Sequence, residues 1–561
     1  MLAVIVLYVL NISLWAAYML NVPRMLHIAQ LESYQNDGIF RWIIKNYKQA
    51  FSKGAKQFLI TIIAYLLFLI TIFLVKDHLN IDAFSLSYVI GIFAVMLTYI
   101  ISNVFIFLDD RKERKNAKKP LKYTSRAKRL VFSNFIAVVL LQLLFMDTMA
   151  NSGSALASSD LHFIIKTLVF SFLTFTLPVN MIFANILISP TETWVKERYI
   201  NKARKILNKK EYKDLIKIGI TGSYGKTSTK FILKTILSEK YNVLATPGSF
   251  NTTMGNVRVI REELKPEHQV FISEMGARKR YDIQEICQFV NPQIGIITSI
   301  GAQHLETFKK IENVAKTKGE LLKGVTYEGA VFLPKDNSHC FELYKADKHT
   351  KYLYSTKKDG ADVYAKDIKV TKDGSTFKVV TKDGEFECTT KLLGEHNVQN
   401  IIGCVAIAKH LGLTDKEIQS GIAKIEPVEH RLQLIPGANG TTIIDDAFNS
   451  NPVGSKRALE VMKQFDGRKI IITPGMVELG AEEYNLNKEF GRQMADAIDI
   501  AILVGVNRSK AIVEGLKEKK FDDMSIYVVN NLDEATAKLG TLTKAGDVIL
   551  FENDLPDNYN E

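Results

Sequence analysis

Cysteine is scarce in this chain, with four residues among 561. They are Cys287, Cys340, Cys388 and Cys404, and their spacing matches no zinc-binding pattern. The scarcity argues against a small secreted fold held together by disulfides. It predicts reduced thiols that pack as small apolar side chains in a cytosolic environment.

Acidic residues are outnumbered, with 60 Asp and Glu against 72 Lys and Arg and a formal charge of +12. The excess is concentrated in a few segments, so the total does not by itself indicate nucleic-acid binding. The most basic segment, 109–130, contains ten Lys and Arg. It could contact nucleic acid or anionic lipid, but a cytoplasmic loop between membrane spans explains it with fewer assumptions. We therefore predict no nucleic-acid partner.

Five long apolar runs fill the first part of the chain. They lie at residues 2–21, 58–75, 84–108, 131–148 and 163–188. Each is about long enough to cross a membrane as a helix. The loops between them hold six, one, ten and no Lys or Arg in order, and basic loops stay on the cytoplasmic side. The pattern predicts a multi-pass membrane domain over 1–188, with the N-terminus outside and a kink at Pro178.

A basic segment separates the last apolar run from the rest of the chain. Residues 189–214 include Trp194, a residue type that anchors proteins at the membrane interface, and several Lys and Arg. The segment predicts a juxtamembrane connector, which places all later domains in the cytoplasm.

A glycine-containing loop is the sharpest motif in the chain. The strand-like run Ile216–Ile220 leads into Gly222-Ser-Tyr-Gly-Lys-Thr-Ser228, and a helix-like segment follows. In such a loop, backbone N–H groups and a helix N-terminus face a phosphate. Lys226 would reach the β- and γ-phosphates, and the Thr227 hydroxyl would bind Mg²⁺. The full G-x-x-x-x-G-K-[ST] pattern is not met, because Ile220 stands at its first glycine, and a glycine turn that caps a helix is the competing interpretation. The flanking strand and helix favour an ATP site.

After this loop, strand-like and helix-like stretches alternate, apart from a β-rich region at 325–390 with three Asp-Gly turns. Such alternation predicts mostly parallel sheets whose ligands bind at the carboxyl ends of the strands. Glu274 and His304 follow two of these strands, where a carboxylate and an imidazole can hold a divalent metal together with nucleotide phosphates. Taken singly, each also has a structural explanation, Glu274 at a helix N-terminus and His304 as a loop histidine.

Ordered motifs over residues 215–552 resemble the Mur ligase family. They are the glycine-containing loop, Glu274-Met-Gly276, Asn291–Glu306, Ala315–Glu320, His396–Asn400, Ile444–Pro452 and Gly475–Gly480. The last two are most similar to the MurF type of this family. Together with the apolar runs, the resemblance predicts an α-helical membrane domain followed by two α/β domains. The central ATP-binding domain, 215–425, would contain the P-loop and a mostly parallel sheet, and the C-terminal domain, 426–561, would be Rossmann-like.

The resemblance also implies a reaction. ATP would phosphorylate a carboxylate, an amine would attack the acyl phosphate, and an amide would form with release of phosphate. Lys226, His304 and Lys318 would be the catalytic residues. Two Mg²⁺ ions are implied, one at Thr227 and Glu274, the other at His304 and a carbamate formed from a lysine by CO₂. Lys318 matches that lysine, with Lys316 as the nearby alternative.

Nucleotide and substrate residues are implied as well. ATP would be bound by Gly222, Ser223, Tyr224, Gly225, Lys226, Thr227 and Ser228, by Asn397 and Asn400 near the adenine, by Arg431 from across the domain gap and by Asp446 at the ribose. The substrate would be bound by Asn251, Asn449 and Asn451. Asn397 could instead serve only as a helix cap.

The chain departs from the family in two places. Soluble members begin with a domain that holds the uridine diphosphate of the precursor, whereas a membrane domain stands here in its place. We therefore hypothesise a membrane-bound acceptor, such as a polyprenyl-linked muramyl peptide. Near the other end, a Lys-Gly-Ser-Arg-like stretch of the MurF type is replaced by the acidic Leu550–Asp557, and a Gly-Asp-Met by Pro474-Gly-Met476. The identity of the amine, an amino acid or a dipeptide, stays open.

The leading hypothesis is a membrane-anchored, ATP-dependent ligase of peptidoglycan precursor synthesis. Its partners would be the lipid bilayer, a muramyl-peptide or lipid-linked acceptor and an amine. One alternative is a ligase or amidase that acts on a lipid-linked muramyl peptide or on capsule polyglutamate. Two others are a non-catalytic ATP-binding scaffold for wall synthesis and a transporter driven by an attached ATPase.

Overall fold

The computed structural model describes residues 2–75, 81–115, 117, 119–150, 159–448 and 450–554. Two compact units divide the chain between Val195 and Lys196. The first is helical and the second contains both β-sheets.

The first unit consists of helices in its described part. They are α1 (Leu2–Leu31), α2 (Asn36–Lys45), α3 (Tyr47–Val75), α4 (Ile81–Lys115), α5 (Ser125–Ala150), α6 (Ser159–Phe175) and α7 (Leu177–Leu207), the last of which contains the boundary between the units. Each of the five apolar runs lies in these helices, and α2 is an additional short amphipathic helix whose buried side includes Ile39 and Trp42.

Two helices of the described chain are long and apolar enough to cross a membrane: Tyr47–Leu74, with mean hydropathy 2.5, and Ile90–Lys115, with 2.2. A third span exists if Ile165–Phe175 and Leu177–Leu207 count as one, although an 81° bend separates them. The structure thus confirms apolar helices in this region. A topology of five spans with the N-terminus outside stays a prediction.

The last apolar run is not one kinked helix, as the sequence suggested, but two helices. The break lies at Thr176, and Pro178 falls in the first turn of α7, where its missing N–H costs nothing. A side chain satisfies one of the carbonyl groups freed by the break, since Asn180 Nδ2 donates to Leu173 O at 3.0 Å.

Charged side chains in the helical unit pair with one another. Lys53 Nζ lies 2.7 Å from Asp110 Oδ1 and 3.0 Å from Glu113 Oε1. Arg129 makes a bidentate contact with Glu192, at 2.6 and 3.0 Å. These pairs join α3 to α4 and α5 to α7. Elsewhere on α3, apolar side chains face outward, such as Leu67, 59% exposed.

The second unit begins with a sheet whose described strands run in the order β2-β3-β1-β4-β5-β6-β7-β8-β9. They are β1 (Ile216–Thr221), β2 (Val243–Ala245), β3 (Val270–Glu274), β4 (Ile294–Ile297), β5 (Ala330–Pro334), β6 (Thr350–Ser355), β7 (Val363–Thr371), β8 (Gly374–Thr381) and β9 (Gly384–Thr390). The strands from β2 to β7 pair in parallel, and β7, β8 and β9 form an antiparallel extension. The Asp-Gly turns at 373–374 and 383–384 connect the strands of this extension.

Helices cover both faces of this sheet. They are α8 (Lys226–Leu237), α9 (Thr253–Glu262), α10 (Asp282–Val290), α11 (Leu305–Phe308), α12 (Ile311–Lys318), α13 (Glu320–Gly324), α14 (Ser338–Ala346), α15 (Glu395–His410) and α16 (Asp415–Ala423). Apolar residues of α8, α15 and α16 form the core on one face, and those of α9, α10, α12 and α13 form it on the other.

The second sheet has the strand order β10-β11-β15-β12-β13-β14 in the described chain. Its strands are β10 (Gln433–Pro436), β11 (Thr442–Asp446), β12 (Lys469–Thr473), β13 (Ile500–Val504), β14 (Ile526–Val529) and β15 (Val548–Glu552); its helices are α17 (Pro452–Met462), α18 (Glu483–Ala495), α19 (Ser509–Glu518) and α20 (Leu532–Leu542). All neighbours pair in parallel except β10 and β11. The two mostly parallel sheets, the second with helices α17 to α20 around it, agree with the fold class expected from the sequence.

Strand register brings the motif residues together. Ile220 of β1 pairs with Glu274 on one side and with Ile296 on the other. The glycine-containing loop, Glu274 and the segment that leads to His304 therefore leave the sheet at one edge.

Candidate nucleotide and metal site

The glycine-containing loop needs glycine at two positions. Gly225, the residue before α8, has φ +79°, and a Cβ there would lie 2.8 Å from Asn400 Oδ1. A Cβ at Gly222 would lie 2.0 Å from Thr298 Oγ1. The loop can therefore pack against α15 and the end of β4 only because both side chains are absent.

The segment after β4 holds this loop in place. Ser299 Oγ accepts from Tyr224 N at 3.0 Å, and Ser223 Oγ accepts from Gly301 N at 3.0 Å. Tyr224 donates its hydroxyl to Ala302 O at 2.8 Å. The loop is thus fixed from the segment that continues to His304.

Lys226 points back into its own loop. Its Nζ donates to Gly222 O at 2.6 Å and to Ser223 O at 3.2 Å. Burial lowers the pKa of Lys226 to about 8, the charge of Glu274 opposes this shift, and the charge of Arg431 adds to it. A cation held in this position is placed to meet a negatively charged phosphate.

Glu274 is fully buried and accepts hydrogen bonds from three side chains. Thr227 Oγ1 and Asn251 Nδ2 each lie 3.1 Å from its Oε1, and Lys230 Nζ lies 3.0 Å from its Oε2. Lys230, also fully buried, holds one oxygen of the carboxylate. The other oxygen faces the Thr227 hydroxyl.

The two candidate lysines of α12 differ in their surroundings. Lys318 is buried, at 1% exposure, whereas Lys316 is exposed. Burial drives the pKa of Lys318 well below its ordinary value, and the charge of Lys226 adds to the effect. Lys316 therefore lies on a solvated face of α12, whereas Lys318 does not.

His304 has a left-handed backbone, with φ +51°, and its side chain meets the second sheet domain. Its Nδ1 contacts Glu478 Oε2, and Glu478 O accepts from Glu306 N at 3.2 Å. Burial, the largest influence, lowers the pKa of His304, and Glu478 opposes the shift. A neutral imidazole is the form that can bind a metal.

A small cleft lies beside the loop, lined by residues that include Ser228, Phe231, Asn397, Ile425 and Arg431.

Arg431 and Asp446 lie on the C-terminal side of the site. The Arg431 guanidinium stacks 4.4 Å from the ring centre of Phe448. Burial raises the pKa of Asp446 to about 6, against the charge of Arg431.

Two family models match the second unit. The Mur ligase middle domain matches residues 220–408, and the Mur ligase, glutamate ligase domain matches residues 430–552. The UDP-N-acetylmuramoyl-tripeptide--D-alanyl-D-alanine ligase of Haemophilus influenzae is 30% identical over 316 residues, which cover 55% of this chain and 68% of the relative. The chain belongs to the Mur ligase family. The ligase of the same name from Bacillus subtilis is 29% identical and covers 60% of this chain and 72% of its own.

Solved structures agree with this assignment. MurF from Acinetobacter baumannii matches with a TM-score of 0.59 at 26% identity, covering 65% of this Mur ligase and 78% of its own chain. MurF from Thermotoga maritima, in complex with ADP, has the same fold, with a TM-score of 0.57 at 24% identity, and covers 64% and 80%. The helical unit lies outside both regions matched by the family models.

The asparagines predicted to bind nucleotide or substrate in this Mur ligase have different surroundings. Asn251 touches Glu274, and Asn400 lies against Gly225. Asn397 lines the cleft, while its Nδ2 donates to Leu393 O at 2.8 Å. Asn451 caps α17, since its Oδ1 accepts from Gly454 N at 2.8 Å. The predicted substrate residue Asn449 lies outside the described residues.

Sequence reasoning missed two charged residues of the site. Lys230 follows Lys226 by one helical turn, a spacing that puts both on one face of α8 and could have signalled a shared role. Glu478 reaches His304 across 174 residues of sequence, and no local pattern indicates such a contact.

The donor set fits magnesium better than a transition metal. Among the described residues, no three His, Cys, Asp or Glu side chains come together as a metal cage. Magnesium at nucleotides usually needs only one or two carboxylates, with phosphates and water as the other ligands. Glu274 with the Thr227 hydroxyl meets that requirement.

Proposed function

We propose that this chain, a MurF-like, ATP-dependent and ADP-forming ligase, joins a carboxylate of a muramyl-peptide acceptor to an amine. The observation that carries the proposal is the buried Glu274 beside the Thr227 hydroxyl, at the edge where Lys226, Lys318 and His304 also lie. Phosphoryl transfer depends on positioning and charge neutralisation, and this arrangement concentrates both.

Each residue has a role in this proposal. Lys226 exchanges its loop carbonyls for the β- and γ-phosphate oxygens and stabilises the charge that develops on them. Thr227 and Glu274 hold a Mg²⁺ ion, with Lys230 fixing the far oxygen of the carboxylate. When bound, Mg²⁺ supplies charge neutralisation of the phosphates. The second ion would use His304 and Lys318.

Lys318 is the lysine we propose to be carbamylated. Its burial favours the neutral amine, which attacks CO₂, forms an N–C bond and releases one proton. The product carries one negative charge, which a buried site beside Lys226 would stabilise. Lys316 is exposed and lacks this environment.

The cleft beside the loop is the proposed adenine site, with Asn397 and Asn400 next to it. Arg431 would meet the phosphates and Asp446 the ribose. We assign the central domain to 215–425 and the C-terminal domain to 426–561, and the ranges of the two family models support this division.

We further propose that the helical unit, 1–188, with its connector 189–214, anchors the enzyme in the cell membrane and that the acceptor is lipid-linked. Two apolar helices of sufficient length support the anchor. The ligase domains would then work on the cytoplasmic side. The relatives named above act, by their names, on a nucleotide-linked tripeptide and D-alanyl-D-alanine, which is the competing pair of substrates.

Phosphate release by the full-length protein in nanodiscs tests the proposal. The amines are D-alanyl-D-alanine, single amino acids and ammonium, each with a nucleotide-linked or a polyprenyl-linked muramyl peptide. We expect release only with the lipid-linked acceptor. Release only with the nucleotide-linked tripeptide and the dipeptide would leave the helices as a mere anchor. ATP binding without release in any combination would contradict the ligase proposal and favour a scaffold.

A further inference from the structure

A segment of the C-terminal domain, 474–482, is docked onto the start of α11 through its backbone. Glu478 O accepts from Glu306 N at 3.2 Å. Gly480, with φ +63°, lies so close that a Cβ would sit 3.4 Å from the Glu306 backbone. Because these contacts are made by main-chain atoms, they hold the segment independently of the Glu478 side chain.

The Glu478 side chain enters the site from this docked segment. Its backbone is left-handed, with φ +64°, a conformation that a non-glycine residue adopts only where its surroundings enforce it. Its Oε2 contacts His304 Nδ1, and its Oε1 lies 3.8 Å from Arg278 Nη2. The carboxylate is 24% exposed, so its contact with the imidazole is partly shielded from water.

A carboxylate on one ring nitrogen determines what the other can do. Nδ1 carries the hydrogen that Glu478 accepts, so Nε2 keeps a lone pair and can bind a cation. Carboxylates in this position are common behind metal-binding histidines, where they fix the ring and its tautomer.

We propose that Glu478 is a positioning residue that holds the His304 ring with Nε2 directed to the second Mg²⁺ of the ligase reaction. This inference rests on the proposed function, because it takes His304 as a ligand. Glu478 belongs to the C-terminal domain, whereas Thr227, Glu274 and Lys318 belong to the central one. The second ion site is therefore complete only while the two domains are docked.

Electron paramagnetic resonance of Mn²⁺ tests this without turnover. The full-length protein is titrated with Mn²⁺ in the presence of a non-hydrolysable ATP analogue. We expect two ions per wild-type chain. Glu478→Ala should weaken the second by about 10- to 100-fold, and Glu478→Gln, whose amide oxygen can accept from Nδ1–H, should restore most of it. Glu482→Ala, an exposed carboxylate of the same segment, is the matched control and should bind both ions normally.

A double-mutant cycle separates positioning from general stability. His304→Ala should lose the second ion by itself, and adding Glu478→Ala should then cause no further weakening. Unchanged Mn²⁺ affinity in Glu478→Ala, additive losses in the double variant, or a wild-type chain that binds only one ion would overturn the proposal. If Glu478→Ala melts early, the cycle is run with Glu478→Met, which fills a similar volume and cannot accept from Nδ1–H. A wild-type chain that binds two ions and yet releases no phosphate would contradict the ligase reaction while leaving the role of Glu478 supported.

Discussion

Charged side chains are arranged differently in the two units. In the helical unit, opposite charges meet on partly exposed basic side chains: Arg129 contacts Glu192. Lys53 contacts Asp110 and the neighbouring Glu113. In the ligase unit, the positive groups Lys226, Lys230 and Arg431 gather around one fully buried carboxylate, Glu274. Opposite charges in contact with each other need no ligand, whereas an excess of positive charge around a buried carboxylate favours an anionic ligand. The difference supports a structural role for the first set and the proposed ATP-phosphate site at the second.

The largest expected effect is a loss of activity when the positive charge of the ligase unit is reduced. Lys226→Ala should lower ATP-dependent phosphate release by about 10³-fold, because it removes the cation that meets the developing charge. The melting temperature should not fall, since a crowded buried charge is lost. Lys234→Ala, an exposed lysine of the same helix, should behave as wild type. A loss of activity in both variants would point to disruption of α8.

Lys318 should come next. Lys318→Ala is expected to reduce phosphate release by about 10²-fold, the usual scale for a removed charge-stabilising group, while Lys316→Ala leaves it unchanged. Depleting CO₂ and bicarbonate should slow the wild type reversibly and should not affect the Lys318 variant. Equal sensitivity of the two proteins to bicarbonate would exclude a carbamate at Lys318.

Breaking an ion pair of the helical unit should affect stability instead of turnover. Lys53→Met leaves Asp110, which is 2% exposed at its side chain, without its closest partner. The expected cost is about 3 kcal/mol, seen as earlier thermal unfolding in detergent, with an unchanged rate of phosphate release below that temperature. Lys56→Met, at a neighbouring position of α3, serves as the comparison. A Lys53→Met protein that melts at the normal temperature but loses activity would contradict a purely structural role for this ion pair.

The smallest expected effect concerns Glu552, a buried carboxyl group that belongs to neither of the two sets of charges compared above. Burial raises the pKa of Glu552 to about 8, and Asp446 on the neighbouring strand adds to the shift. The folded state therefore holds a proton that the unfolded state releases near pH 4.5, so stability falls as the pH rises from about 4.5 toward 8 and levels off above that. Glu552→Gln should remove on the order of 2 kcal/mol of this pH dependence between pH 6 and pH 9. If the melting temperatures of the wild type and of Glu552→Gln change with pH to the same extent, this expectation is wrong.

Local patterns predicted much of the ligase fold. Short apolar runs between turn residues predict strands at Ile294–Ile297, Ile500–Val504 and Ile526–Val529, and the structure has the same bounds. Helix starts were less accurate. The sequence pattern predicts a helix near 257–264, but α9 begins at Thr253, since the Thr252 side chain accepts from Gly255 N and caps it.

What the sequence could not predict depends on contacts between distant segments. The buried state of Lys318 follows from the packing of α12 against the site, and nothing in its neighbours in sequence separates it from Lys316. Glu478 and His304 meet because two domains dock. The break at Thr176 was placed two residues late, at Pro178, because the proline is the local signal while the actual turn precedes it.

The inward-pointing Lys226 has a consequence for how nucleotide affinity varies with ionic strength. Its ammonium already donates to two carbonyl groups of its own loop, so an arriving triphosphate exchanges these hydrogen bonds for others of similar strength. The number of hydrogen bonds hardly changes, so the favourable free energy of binding comes from bringing anionic oxygens close to a cation. Added salt weakens that attraction wherever solvent ions can reach it. Nucleotide affinity should therefore decline steadily as potassium chloride is raised, and most of that decline should disappear when Lys226 is replaced by a neutral residue.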